Sequence, residues 1–377
     1  MRTLYRAVAC TAVAAATTVA GGVAHASAPH GPPNPHAQVV FVQNDNPTGN
    51  VVFAYDRAPD GTLTLAGSYP TGGLGGTLDG SVVDHLASQG GLTLDPTHDL
   101  LFAVNAGSNT LSVFAVRGDQ LRLAQILPTR GDFPVSVTVS GRLAYVLDAR
   151  DGGAVTGYSI DHQGVQPIPG STQPLGLDPE ATPEFTHTPG QVTFSPDGQQ
   201  LLVTTKANGN DVDVFAVHRD GRLSAPTVNA LAGAVPFAAT FDRFGHLVLA
   251  EAGTNSVATF RVDRAGNLLA LNTLATGQTA TCWITSAAGR FYVSNAGSAT
   301  LSELAVAPFG TVSSIGLANT DPGTVDAAAS SSGRFLYVQA GLDGLVDEYQ
   351  ISPSGTLTAI GSVTVPDAAG AEGIAAS

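Results

Sequence analysis

Residues 102–116 read FAVNAGSNTLSVFAV, and residues 291–306 read FYVSNAGSATLSELAV. Asn105 and Asn295 head the same phrase, Asn-Ala-Gly-Ser-x-Thr-Leu-Ser, 190 residues apart. Each copy is an apolar run, a turn of small residues and a second run that alternates apolar with polar. Period-two alternation on either side of a Gly/Ser turn marks a β-hairpin. A hairpin spelled twice asks whether the whole chain is an array. Five more copies answer it. They are VVFVQNDNPTGNVVFAYDR around Gln43, LAYVLDARDGGAVTGYSI around Asp148, LLVTTKANGNDVDVFAV around Lys206, LVLAEAGTNSVATFRV around Glu251 and FLYVQAGLDGLVDEYQI around Gln339.

The anchors at 43, 105, 148, 206, 251, 295 and 339 are separated by 62, 43, 58, 45, 44 and 44 residues. The two long steps carry loops rich in Gly or Pro, TGGLGGTLDG and STQPLGLDPEATPEFTHTP. Every copy has the same grammar. A short apolar run (GLTLD, VSVTV, QVTF, FAATF, TVDAAA) precedes a turn such as SPDGQQ. The anchor strand, a turn and an alternating strand follow. A second hairpin turn (HRDGRL, DRAGNL, SPSGTL) leads into a last strand. Four strands in about 44 residues is the spacing of a propeller blade. The first copy lacks an opening strand, and the orphan tail AEGIAAS at 371–377 has the character of one. The expected fold is therefore all-β. It is a seven-bladed β-propeller of four-stranded antiparallel blades over 38–377, its ring closed by the C-terminal strand. Closure removes the open sheet edges that invite aggregation.

Residues 1–26, MRTLYRAVACTAVAAATTVAGGVAHA, combine Arg2 and Arg6, an apolar stretch and Ala24-His25-Ala26. This reads as a secretory signal cleaved after Ala26, followed by a disordered leader over 27–37 and a secreted mature chain. Cys10 leaves with the signal, so Cys282 is a free thiol and reads as a small buried hydrophobe. The formal net charge is −14, and only 12% of residues are charged. Nothing resembles a basic cluster, which argues against nucleic acid and anionic membranes as partners. A monomer that meets a small molecule at the channel mouth is expected.

Strand order makes the seven anchors converge on one mouth of the central channel. Gln43, Asn105, Asp148, Lys206, Glu251, Asn295 and Gln339 are all polar, although each ends an apolar run. Loops before the inner strands bring His85, Gln89, Phe133, His187, Cys282 and Glu372 nearby. Asn followed by Ala-Gly is also good turn chemistry, so Asn105 and Asn295 read equally as strand caps. Lys206 is the sole lysine. With Glu251 one repeat on, it forms either a grip for a substrate or a structural ion pair. Asp148, Glu251 and the asparagines would suit a hard cation through oxygens. No acidic motif of metal-loop spacing appears, so neither a metal nor another cofactor is expected.

The blade grammar, and above all TGGLGGTLDG with HLASQGGLTLD leading into LLFAVNAGSNTLSVFAV, resembles the lactonase family of seven-bladed propellers, in particular its secreted actinobacterial branch. That family includes propeller-type 6-phosphogluconolactonases and carboxymuconate cyclases. Its active members carry Pro-His-x-His and Gly-Pro-Arg-His before inner strands and a Glu at a second-strand end. Here the matching places read Ser88-Gln89-Gly90-Gly91 and Thr188-Pro189-Gly190-Gln191, and Glu251 stands near the family's glutamate. The resemblance implies a hydrolase of a small lactone or cyclic ester. Glu251 or His187 would activate water and Lys206 would face the oxyanion. Gln43, Asn105, Asp148, Asn295, Gln339 and Glu372 would bind the ligand. The alternative is a non-catalytic propeller that binds a small molecule, a glycan or a protein on the same face, because fold does not decide function.

Overall fold

The computed structural model describes residues 38–377. The expected signal over 1–26 and leader over 27–37 lie outside the described residues. Seven antiparallel sheets succeed one another along the chain, each ordered from an inner to an outer strand. The inner strands of blades two to seven are Leu92–Asp95, Pro134–Ser140, Gln191–Phe194, Pro236–Phe241, Thr281–Ala287 and Thr324–Ala329. Each inner strand touches that of the next blade, and the cycle closes on itself. Blade three departs from four strands, because its outer strand is split into Gly164–Pro167 and Gln173–Pro174, both paired with Ala154–Asp161. Among the described residues α-helix is confined to two four-residue turns, Glu184–His187 and Lys206–Gly209.

The C-terminal strand Ile374–Ala376 is the inner strand of blade one. It pairs antiparallel with Val39–Gln43 through Val40–Ala376, Phe41–Ala375 and Val42–Ile374. Gln43 N donates to Gly373 O at 3.0 Å, and Ser377 N donates to Val39 O at 2.9 Å. Chain start and chain end thus share one sheet, as the orphan tail implied.

Burial follows strand position. Second strands are sandwiched between neighbouring blades, so Leu100–Asn105 and Arg290–Asn295 are buried at every residue after the first. Outer strands such as Leu357–Thr364 are exposed or half-buried at every residue. Tyrosines stitch the blades together. Tyr145, Tyr292 and Tyr337, on second strands, donate to the carbonyls of Gly221, Gly355 and Gly61 in the outer hairpin of the following blade. Tyr55, Tyr158 and Tyr349, on third strands, donate backwards to Thr364 O, Pro128 O and Asn319 O. Burial raises the pKa of all six phenols.

The first insert, 71–91, does not fringe the mouth but fills it. Gly75 N donates to Asn46 O in blade one, and Gly107 N in blade two donates to Leu74 O. Gln89 N donates to Gly190 O at the edge of blade four. In blade six, Trp283 Nε1 donates to Ser88 O at 2.6 Å, and the Gln89 amide makes a two-point bond with Ile284 N and O. His85 N reaches Gly370 O next to blade seven. Leu78 and Leu86 of the insert are fully buried.

Candidate functional site

Third-strand pairing defines a common strand-end position: Asn105 opposite Thr110, Asp148 opposite Ala154, Glu251 opposite Ser256, Asn295 opposite Thr300. In blade four that position is Thr205, whose amide and hydroxyl bond Asp211. Lys206 lies one residue further on, at φ +51°. Gln43 and Gln339 lie one residue before it, opposite Val52 and Val346. A slip of one residue turns a side chain to the other face. The seven anchors therefore form two sets.

Asn105, Asn295 and Glu251 turn into their own blades. Asn105 Nδ2 donates to Ser112 Oγ at 2.8 Å, and its Oδ1 accepts from Asn50. Asn295 Nδ2 donates to Ser302 Oγ at 3.0 Å, and its Oδ1 accepts from Thr281. Glu251 Oε2 accepts from Ser256 Oγ at 2.6 Å. Asp148 is fully buried, and neither carboxylate oxygen has a close hydrogen-bond donor. Burial pushes its pKa up to about 7, against weak help from the Thr129 hydroxyl and Gly131 amide.

Lys206, Gln43, Gln339 and Glu372 turn to the centre instead. The Lys206 ammonium donates to Ala87 O at 2.5 Å, Phe185 O at 2.7 Å and Thr188 Oγ1 at 3.0 Å, and lies 5.4 Å from the Phe237 ring centroid. It thereby ties both inserts to blade four. The expected approach to Glu251 does not occur, because the two residues occupy different registers and each side chain is satisfied elsewhere. The charge that acts most on Lys206 is Asp84 of the plug. Burial lowers the Lys206 pKa and raises that of Asp84, whose carboxylate accepts from Leu86, Ala87 and Ser88 amides at 2.9 Å each.

Glu372 is fully buried. Its Oε1 accepts from Gly90 and Gly91 amides at 2.8 and 3.1 Å, and its own amide donates to Asp45 at 2.8 Å. A Cβ on Gly91 would come 2.6 Å from the Glu372 carboxylate, so only glycine admits this contact. The Asp326 carboxyl shares this buried space with Glu372. Burial, and for Glu372 also the Asp326 charge, raises both pKa values. Gln339 Oε1 accepts from Gly373 N, and Gln43 Nε2 donates to Asp45. Cys282 is 8% exposed, and burial pushes its thiol up to about 12, which suppresses thiolate chemistry. Asp45, Asp84 and Asp326 were missed in the sequence. Asp326, an acid inside the apolar run TVDAAA, was the available signal.

His187 is the one member of the expected catalytic set that faces open space. It ends the helical turn Glu184–His187 of the second insert and lines a pocket of about 160 Å³ beside the plug, with 149–152, 177–181, Glu184, Thr188 and Asn208. Its Nδ1 lies 2.9 Å from both Pro183 O and Thr186 Oγ1, so the ring is held through Nδ1 while Nε2 has no protein partner. Arg150 on the same wall binds Glu184 through Nε at 2.6 Å and Nη2 at 3.2 Å, with Phe133 4.2 Å beneath its guanidinium. The lining carries Asp151, Asp178, Glu180 and Glu184 against the single cation Arg150.

Solved structures with this arrangement span nearly the whole chain. A candidate 6-phosphogluconolactonase from Bacteroides uniformis is 19% identical over 90% of this chain and 98% of its own, with a TM-score of 0.72. The periplasmic gluconolactonase of Pseudomonas aeruginosa is 19% identical over 87% of this chain and 96% of its own, with a TM-score of 0.69. The chain shares the seven-bladed fold of these lactonase-like propellers. Virginiamycin B lyase from Staphylococcus aureus is more distant, at 13% identity over 76% of this chain and 87% of its own, with a TM-score of 0.52. No protein-family model and no curated protein matches the sequence.

Proposed function

We propose that the chain is an exported hydrolase of small neutral lactones, working from the pocket beside the plug rather than at the channel mouth. The observation that carries this reading is His187, with a free Nε2 in a concave, polar pocket on the mouth face of a lactonase-like propeller. Nε2 accepts a proton from water as the oxygen attacks the lactone carbonyl, and returns it to the ring oxygen as that bond breaks. Arg150, the only cation among the lining residues, faces the developing oxyanion from its clamp on Glu184. Four carboxylates around one guanidinium disfavour phosphorylated or carboxylated substrates, as does the net charge of −14. A volume of about 160 Å³ suits a single five- or six-membered ring.

The test is lactone turnover over a panel of neutral and phosphorylated aldonolactones, with wild type beside His187→Gln and Arg150→Gln. The reading expects neutral lactones to be opened and His187→Gln to lower kcat by about 10²-fold or more. Equal turnover by His187→Gln would refute it, and no turnover by wild type would favour the non-catalytic binding reading. Export is checked by intact mass on culture supernatant, where a chain beginning at Ser27 is expected and one retaining Arg2 would overturn it.

A further inference from the structure

We propose that the face opposite the plug carries a second binding site, for the carboxylate of a small organic acid with an apolar tail. The site is a cavity of about 340 Å³ between blades six and seven. Arg290, at the start of a second strand, and Arg334, just before the next blade's second strand, both line it. No carboxylate does. That is unusual for a chain of net charge −14. Neither guanidinium is in an ion pair. Among the described residues only Arg150 and Arg222 are the arginines so engaged.

Both arginines are held by contacts that leave donors free. Arg290 Nε donates to Ser354 O at 3.1 Å and uses none of its Nη hydrogens on the protein. Its stem closes onto Gly355, at φ +95°, where a Cβ would stand 2.5 Å from Arg290 Cγ. The Gly355 carbonyl is in turn fixed by Tyr292 at 2.9 Å. The Arg334 guanidinium lies 5.4 Å from the centroid of the Phe335 ring and donates to no protein acceptor. Two guanidiniums on one cavity wall with unspent N–H groups suit a carboxylate, which a guanidinium fork binds in two-point fashion. Ile351 and Pro353 supply apolar floor for a carbon chain.

Hexanoate, hexanamide and inorganic phosphate are the probes, titrated separately into the ¹⁵N-labelled protein. The amides of Gly333 and Gly355, both on the cavity wall, are the reporters. Hexanoate should shift them saturably, hexanamide should not, and phosphate should bind more weakly than hexanoate because it cannot use the floor. Arg290→Gln/Arg334→Gln should weaken hexanoate at least tenfold. Arg334→Gln alone, at an exposed residue that leaves the fold untouched, should weaken it several-fold. Equal affinity for hexanamide, equal or tighter binding of phosphate, or unchanged hexanoate binding by Arg334→Gln would each overturn the assignment.

Discussion

Asp148→Asn should stabilise the protein at alkaline pH and destabilise it at acid pH. The Asp148 carboxyl is fully buried, and neither oxygen has a close donor. Desolvation raises its folded pKa from 3.8 to about 7, with the Asp132 charge adding to the shift. The folded state therefore keeps a proton that the unfolded chain releases. Stability from this group is complete below about pH 4, falls as pH rises from there, and is lost once pH passes about 7. A shift of about three units corresponds to about 4 kcal/mol between the two limits. An asparagine carries no charge, so it escapes that loss. An amide N–H buried there without an acceptor would cost about 1–2 kcal/mol. The variant should be more stable than wild type by about 2–3 kcal/mol at pH 8 and less stable by about 1 kcal/mol at pH 4. At roughly 2 °C per kcal/mol, thermal unfolding followed by circular dichroism resolves both ends. Melting curves that do not cross between pH 4 and 8 would refute the burial argument. A variant destabilised at both ends would mean that the ionised carboxylate binds something useful.

Removing 371–377 takes away the inner strand of blade one and exposes the edge of Val39–Gln43, so the ring should fail as a unit. A truncated chain that melts with the wild type would contradict the closure. Lys206→Met strands three acceptors, two of them buried, and should cost about 3–5 kcal/mol in denaturant titrations while sparing turnover per folded molecule. Lost turnover at unchanged stability would return Lys206 to the catalytic set. Tyr337→Phe deletes the bond to Gly61 O between blades seven and one, at an expected cost of about 1–2 kcal/mol by the same titration. No loss would show that the latch is replaced by water.

The blades were legible because their signals are local. Alternation around Asn105 and Asn295, turns such as SPDGQQ and the orphan AEGIAAS each report on a few consecutive residues, and the structure repeats them as strands and hairpins. The site was legible only where strand-end chemistry decides it, as in the capping bonds of the two asparagines. Lys206 was misread because a one-residue extension of blade four leaves the apolar pattern intact while reversing the side chain. The plug was invisible for a different reason. Residues 71–91 have no period, and their place depends on partners far away in sequence, such as Trp283 and Ile284 for Ser88 and Gln89.

Plug and ring closure prove to be one device. The tail that completes blade one also delivers Glu372, whose carboxylate holds the Gly90 and Gly91 amides where the plug becomes an inner strand. Three residues before Gly90, Ala87 O of the same loop is held by Lys206, and the Asp84 carboxylate is wrapped by the backbone amides that follow it. Of the polar residues that looked like a ligand ring, Lys206 and Glu372 thus spend their hydrogen bonds on this segment, and the asparagines and Glu251 spend theirs at strand ends. A buried acid such as Glu372 is tolerated there because the Gly90 and Gly91 amides donate to it. With the mouth closed from within, chemistry on this face moves outward to where the second insert leaves a cleft, and His187 is the titratable side chain with an unengaged ring nitrogen that lines it.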